Sequence, residues 1–161
     1  MSEFLLYDNV SDSSELANTK PHDIRLAAVN LLARREHSRK ELEQKLKKRF
    51  DDHGVVSEQL DRLTEEGLQS DARYAESFVR QRYNRGHGPL RVRQEMRQRG
   101  VPDEDVQMAM ESAGYDWSSS ASIVLKKKYG NTPAGDAKEK ARRSRFMQYR
   151  GFCIEHFIDK F

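Results

Sequence analysis

Cysteine is almost missing from this sequence: 161 residues carry Cys153 alone. No intrachain disulfide can staple a small core, which suits a reducing compartment, and the chain is expected in the cytoplasm. Long apolar runs are missing too. No stretch approaches the roughly eighteen residues that would span a bilayer, so no membrane partner is expected. Around Phe4-Leu5-Leu6-Tyr7, Glu3 and Asp8 stand where a secretory leader would carry a basic start and a longer apolar stretch. There is no Gly-x-x-x-x-Gly-Lys loop, so any ATP belongs to a partner. His22, His53 and His156 are read as forming no metal-ligand pattern with one another or with Cys153, so no metal or other cofactor is expected. No nucleophile stands near a plausible base. The acids at 103–105 read as helix-start charges without the burial that tunes a catalytic carboxylate. These absences together argue against an enzyme.

What the chain has in quantity is charge, unevenly placed. Residues 1–20 hold four acids and one lysine, residues 21–79 eleven bases and twelve acids, and residues 80–161 seventeen bases and ten acids. The basic excess of the C-terminal half points to an anionic partner.

The chain also repeats itself. At an offset of fifty, His37, Leu42 and Leu46 fall on His87, Val92 and Met96. At fifty-one, Met96, Arg99, Gly100, Val101 and Glu104 fall on Met147, Arg150, Gly151, Phe152 and Glu155. Such a period marks stacked units, each too small to bury its own apolar face. Residues 1–20 read as a mobile acidic tail, in which Phe4–Tyr7 is a candidate docking peptide and no more than that. Three three-helix units are then expected at 21–68, 69–114 and 115–161.

Helical spacing supports each unit. Ile24, Ala28, Leu31 and Leu32 form one stripe, and Leu42, Leu46 and Phe50 a second that opens on a Ser38–Glu41 capping box. A third helix is expected from Ser57 to Gly67. In the second unit, Ser70 or Asp71 caps a helix carrying Tyr74, Ala75, Phe78, Val79 and Tyr83. Pro89 and Pro102 open the two that follow. In the third, helices are expected from near Asp116, over 136–149 and over 152–160. No segment alternates like a strand, so the expected fold is all-α, an elongated, curved tandem array.

The motif Gly67-Leu68-x-x-Asp71-x-x-Tyr74-Ala75-x-x-Phe78-Val79-x-x-Arg82 resembles the RecX family, bacterial regulators of RecA recombinase. So do Gly88-Pro89-x-Arg91-Val92-Arg93-x-Glu95-Met96-x-x-Arg99-Gly100-Val101, Asp116-Trp117, Lys128-Tyr129-Gly130 and Tyr149-Arg150-Gly151-Phe152. The likeness runs over residues 22–161. It implies a curved array of three-helix repeats in the groove of the RecA filament on single-stranded DNA. There it would inhibit strand exchange, ATP hydrolysis and coprotease function, and favour filament loss.

Two basic runs are the candidate RecA- and DNA-binding face. Arg80, Arg82, Arg85, Arg91, Arg93, Arg97 and Arg99 share their stretch with one acid, Glu95. Lys126, Lys127, Lys128, Lys138, Lys140, Arg142, Arg143, Arg145 and Arg150 share theirs with Asp136 and Glu139. Arginine's planar fork suits phosphate and carboxylate. Tyr83, Tyr129 and Tyr149 lie beside these bases and are candidates for stacking on exposed nucleobases, though a tyrosine on such a stripe is more often core. The partners expected are the RecA filament and DNA, single-stranded above all and duplex second, with the chain itself a monomer. The competing reading is a helix-turn-helix-like nucleic-acid-binding regulator with no RecA partner, for which Arg99-Gly100-Val101-Pro102 would supply a turn.

Overall fold

The computed structural model describes residues 20–161, so the tail and its Phe4–Tyr7 cluster lie outside the described residues. Within them the chain is all-helical. Eight α-helices follow in order: α1 Pro21–Arg34, α2 Arg39–Arg49, α3 His53–Glu65, α4 Asp71–Asn84, α5 Pro89–Gln98, α6 Asp103–Ser112, α7 Trp117–Tyr129 and α8 Ala137–Tyr149. Two 3₁₀ turns, Ile154–His156 and Ile158–Lys160, close the chain. None of these helices is long and apolar enough to cross a membrane.

Local chemistry sets the helix starts. Ser38 and Glu41 form the expected reciprocal box at α2. Ser70, Asp116 and Asp136 each accept a backbone N–H three residues on, at α4, α7 and α8. Pro89 occupies the first turn of α5, where its missing N–H leaves nothing unpaired. Helix α3 begins a turn earlier than expected, because the Asp52 carboxylate caps the Val55 N–H and draws His53 to Val56 into the helix.

The helices gather into three small cores. Ile24, Ala28, Leu42, Leu46, Val56, Leu60 and Leu63 are fully buried in the first. Tyr74, Phe78, Val92, Met96, Val106 and Met110 fill the second. Ala121, Val124, Leu125, Met147, Phe152 and Phe157 fill the third. A fully buried Leu or Phe contributes about 1.5–3 kcal/mol, so cores this small leave each unit dependent on its neighbours.

The third core corrects the sequence reading at its end. A helix over 152–160 was expected; two 3₁₀ turns stand there instead. Phe152 and Phe157 are both buried while Ile154 and Ile158 are exposed. Five residues apart on an α-helix are separated by about 140°, so one continuous helix would not turn both rings into the core. Breaking it does.

The repeated motifs turn out to be the two halves of a junction. The start of one unit's second helix receives the end of the next unit's second helix. At the first junction, the Ser38 hydroxyl donates to the Arg99 carbonyl at 2.7 Å, and Lys40 Nζ donates to the Gln98 carbonyl at 3.1 Å. At the second, the Gly88 N–H donates to the Arg150 carbonyl at 2.8 Å and the Leu90 N–H to the Gly151 carbonyl at 3.0 Å. These partners satisfy carbonyls that a helix end leaves orphaned. Gly151 has φ +95°, and a Cβ on it would overlap Arg91; a Cβ on Gly88 would overlap the Gly151 backbone.

Gly88 itself has an ordinary extended backbone, so the obstacle to a side chain there is purely steric. Gly88→Ala is expected to lower stability by about 1–3 kcal/mol, the usual cost of overpacking. Gly54→Ala, whose Cβ meets only Asp52 at 3.5 Å, is expected to leave stability unchanged or improve it. Denaturant midpoints of the two variants make the comparison.

Candidate nucleic-acid interface

The basic residues divide by what already holds them. In the first run, three arginines converge on one acid. Glu95 lies 3.0 Å from Arg82 Nε, 2.9 Å from Arg91 Nε and 3.6 Å from Arg99 Nη1. Arg82 and Arg99 also stack on the Phe78 ring, with guanidinium carbons 4.8 and 4.7 Å from its centroid. Arg99 reaches across the first junction to Glu41 at 3.5 Å. These guanidiniums join α4, α5 and α2, so their primary work is architectural.

Glu41, read from sequence only as a cap, is a second node. It accepts from Arg35 at 3.1 Å and from the Tyr74 hydroxyl at 3.3 Å while serving its box. Nothing in linear spacing announces that convergence, since Tyr74 and Arg99 lie in another unit. Burial pulls both glutamates toward the neutral form. Hydrogen bonds and charge from Arg35 at Glu41, and from Arg91 and Arg82 at Glu95, outweigh it and hold both below the usual carboxylate range. Burial first, and the Glu41 charge second, push the Tyr74 phenol well up.

In the second run, Arg143 is only 7 % exposed, bonded to Glu139 at 3.1 Å and to the Thr132 carbonyl at 2.9 Å, and stacked on Tyr129. Arg142 shares Glu139. Arg150 donates to the Arg85 and Gly86 carbonyls at 2.8 and 3.0 Å and so belongs to the second junction.

The remaining cations face outward. Arg80, Arg85, Arg93, Lys126, Lys127, Lys128, Lys138, Lys140 and Arg145 make no ion pair among the described residues, and all but the half-buried Arg93 are exposed. Arg97 pairs with Asp103 at 3.0 Å, but both are well exposed, where such a pair is worth about 0–1 kcal/mol. Lys126, Lys127 and Lys128 form the last turn of α7, and Lys128 lies over the Phe146 ring.

The tyrosines separate in the same way. Tyr83 packs on Tyr115 and Trp117 and donates its hydroxyl to the Asp116 carbonyl at 3.2 Å. Tyr129 meets Phe146 edge-on beneath Arg143. Tyr149 alone of the three is open, 76 % exposed. One group corrects the sequence reading: Cys153 and His156 stand only three residues apart, and the first 3₁₀ turn brings their ligand atoms and that of Glu155 within 4.8 Å of one another. Its His156 Nδ1 accepts the Cys153 N–H at 3.2 Å, which explains the turn without an ion.

Comparison with known proteins decides the family. Models of the first, second and third three-helix domains of RecX match residues 25–63, 70–110 and 118–156. The regulatory protein RecX of Halorhodospira halophila is 47 % identical over 132 residues, 82 % of each chain. That of Pseudomonas tolaasii is 45 % identical over 132 residues, 82 % of this chain and 85 % of its own. This chain belongs to the RecX family. The RecX crystal structure from Lactobacillus salivarius shares the fold at a TM-score of 0.70 and 22 % identity, covering 84 % of this chain and 90 % of that one. A second RecX crystal structure gives 0.74 at 20 % identity, over 91 % and 75 %. The family is one of regulatory proteins.

The Glu95 node sets an expectation for this RecX protein. Glu95→Ala leaves three guanidiniums together without their counter-charge, and stability is expected to fall by about 2–3 kcal/mol, somewhat less than for a fully buried pair. In the parent, the stability given by the depressed carboxyls is full above the ordinary pKa near 4.3 and lost as pH falls through their lower folded values. Urea midpoints from pH 7 to pH 3 are therefore expected to show a steeper acid loss in the parent than in Glu95→Ala.

Proposed function

We propose that this RecX protein is a negative modulator of RecA, acting in the cytoplasm as a monomer. It lies along the RecA filament on single-stranded DNA, restrains ATP hydrolysis, strand exchange and coprotease activity, and favours filament loss. The observation that carries this reading is the division of the basic residues. Nine exposed or half-exposed cations without acidic partners among the described residues are spread over α4 and its C-cap, α5, α7 and α8, while most of the paired arginines build the array. A filament is a repeating polyanionic partner, and contacts spread over joined units gain avidity from individually weak interactions. Family membership supplies the regulatory role, and the charge division supports the proposed DNA- and RecA-facing surface.

Within that surface the outward cations, Lys126, Lys127 and Lys128 above all, carry the electrostatic attraction. Arg80, Arg85, Arg93, Arg97, Lys138, Lys140 and Arg145 extend it. Arg82, Arg91, Arg99, Arg143 and Arg150 hold the geometry on which it depends, so their loss would reduce binding through the fold, whereas Arg142, exposed beside Glu139, belongs with the outward cations.

RecA-catalysed, single-strand-dependent ATP hydrolysis tests the reading. Addition of this protein well below one per RecA is expected to inhibit it, and absence of inhibition at stoichiometric amounts sinks the proposal. Should tight DNA binding remain without inhibition, a nucleic-acid-binding regulator with no RecA partner takes its place.

Reversal of the α7 cluster gives a second, graded expectation. Lys126→Glu, Lys127→Glu and Lys128→Glu together are expected to weaken inhibition at least tenfold. The salt slope for single-stranded DNA would fall by about 2, as for three lost phosphate contacts. Fluorescence anisotropy over a salt series reads that slope directly.

A further inference from the structure

One groove carries chemistry that electrostatics does not use. It crosses the second junction, where the end of α8 meets α5, and encloses about 400 Å³, within the roughly 300–1,000 Å³ of small-ligand pockets. Leu90, Arg91, Gln94, Gln98, Gln148 and Tyr149 line it. Tyr149 is 76 % exposed, with the Arg91 guanidinium over one face of the ring at 5.7 Å, so the opposite face is open. An exposed aromatic ring with a guanidinium on one face is well suited to take another flat π-system on the other.

The rest of the lining fits the edge of such a system. Gln94, Gln98 and Gln148 are all exposed, and each carries an amide that donates and accepts. No side-chain hydrogen bond engages those amides among the described residues; Gln98 is held only through its backbone carbonyl. Beside them Glu95 presents a buried Oε2 without a well-aligned hydrogen bond, although Arg82 Nε is 3.0 Å away. The groove thus combines an open aromatic face, neutral amides of both polarities and a flanking guanidinium. A phosphate would want the cations and ignore the ring. A planar heteroaromatic base uses all of it.

We propose that this groove is a nucleobase site: one unstacked base of single-stranded DNA lies on Tyr149, its edge met by Gln94, Gln98 or Gln148. The inference rests on the DNA-facing reading above and deepens it, because phosphate contacts alone do not separate a single strand from any other polyanion. Stacking of a base on an aromatic side chain tolerates any sequence, so the site selects exposed bases as a class and adds discrimination only through the glutamines.

The test uses the full chain and DNA alone. Two single-stranded oligonucleotides of equal phosphate number are compared, one with all its bases and one abasic through its central stretch. The parent protein is expected to bind the first roughly 5- to 150-fold more tightly, the range for a single stacked base. Tyr149→Ala is expected to erase most of that difference, Tyr149→Phe to keep it, and both to melt with the parent because the ring is exposed. Equal binding of the two strands by the parent, or a difference that survives Tyr149→Ala, overturns the proposal. The result is independent of RecA: a base-dependent difference tied to Tyr149 upholds the site even where ATP hydrolysis is not inhibited.

Discussion

The backbone-to-backbone approach of Gly88 and Gly151 is the constraint on which the array depends. Two N–H groups at the start of α5 reach carbonyls at the end of α8 only because neither glycine has a side chain. The bonds are between main chains, so they fix the relative position of two units with less slack than long side chains allow. The first junction seats its helix end with different atoms: the Ser38 hydroxyl bonds the Arg99 carbonyl, the counterpart of Arg150, while the Lys40 ammonium takes the Gln98 carbonyl one residue before it. Each unit keeps its own small core, and polar bonds set the angle at which the next unit follows.

Arginine does two jobs in this chain, and the surroundings decide which. Where a guanidinium finds Glu95, Glu41 or Glu139, or an aromatic face such as Phe78 or Tyr129, it becomes part of the frame. The lysines of α7 find no acid among the described residues and stay exposed, Lys128 lying over the Phe146 ring. The general preference of arginine for bidentate, stacked and partly buried sites and of lysine for hydrated ones explains the division. A count of bases along the chain therefore overstates how many cations are free of acids in the arginine-rich run, and does so less in the lysine-rich one.

Helix positions were legible because they depend on local chemistry. Ser38 and Glu41 stand three apart, Pro89 and Pro102 open helices, and the stripes Leu42–Leu46 and Tyr74–Phe78 repeat at helical spacing. The α3 start was missed because Asp52 competes with Ser57 as a cap and is met first. The final helix was misjudged because spacing alone does not show that Phe152 and Phe157 must enter one core. The repeat itself was visible at offsets of fifty and fifty-one, yet its meaning was not. Equivalent residues in successive units do not touch one another; Ser38 meets Arg99, and Gly88 meets Arg150. At Glu95 only part was hidden: Arg91 and Arg99 stand four residues to either side of it, at a spacing a helix brings together, whereas Arg82 reaches it from α4 packed alongside.

The repeat also explains why the aromatic groove exists at one junction only. By the two offsets, the first-junction counterpart of Arg91 is Glu41, and that of Tyr149 is Gln98. Glu41 turns inward to Arg35, Tyr74 and Arg99, so the first junction holds an ion-paired knot where the second has an open ring beneath a guanidinium. The two junctions share one way of seating a helix end but not the surface around it. That is the expected outcome when geometry is carried by backbone and small polar atoms: neighbouring side chains can change without moving the units. The junction conserves the shape of the array, and divergence at positions 41 and 91, and at 98 and 149, gives its two joints different chemistry.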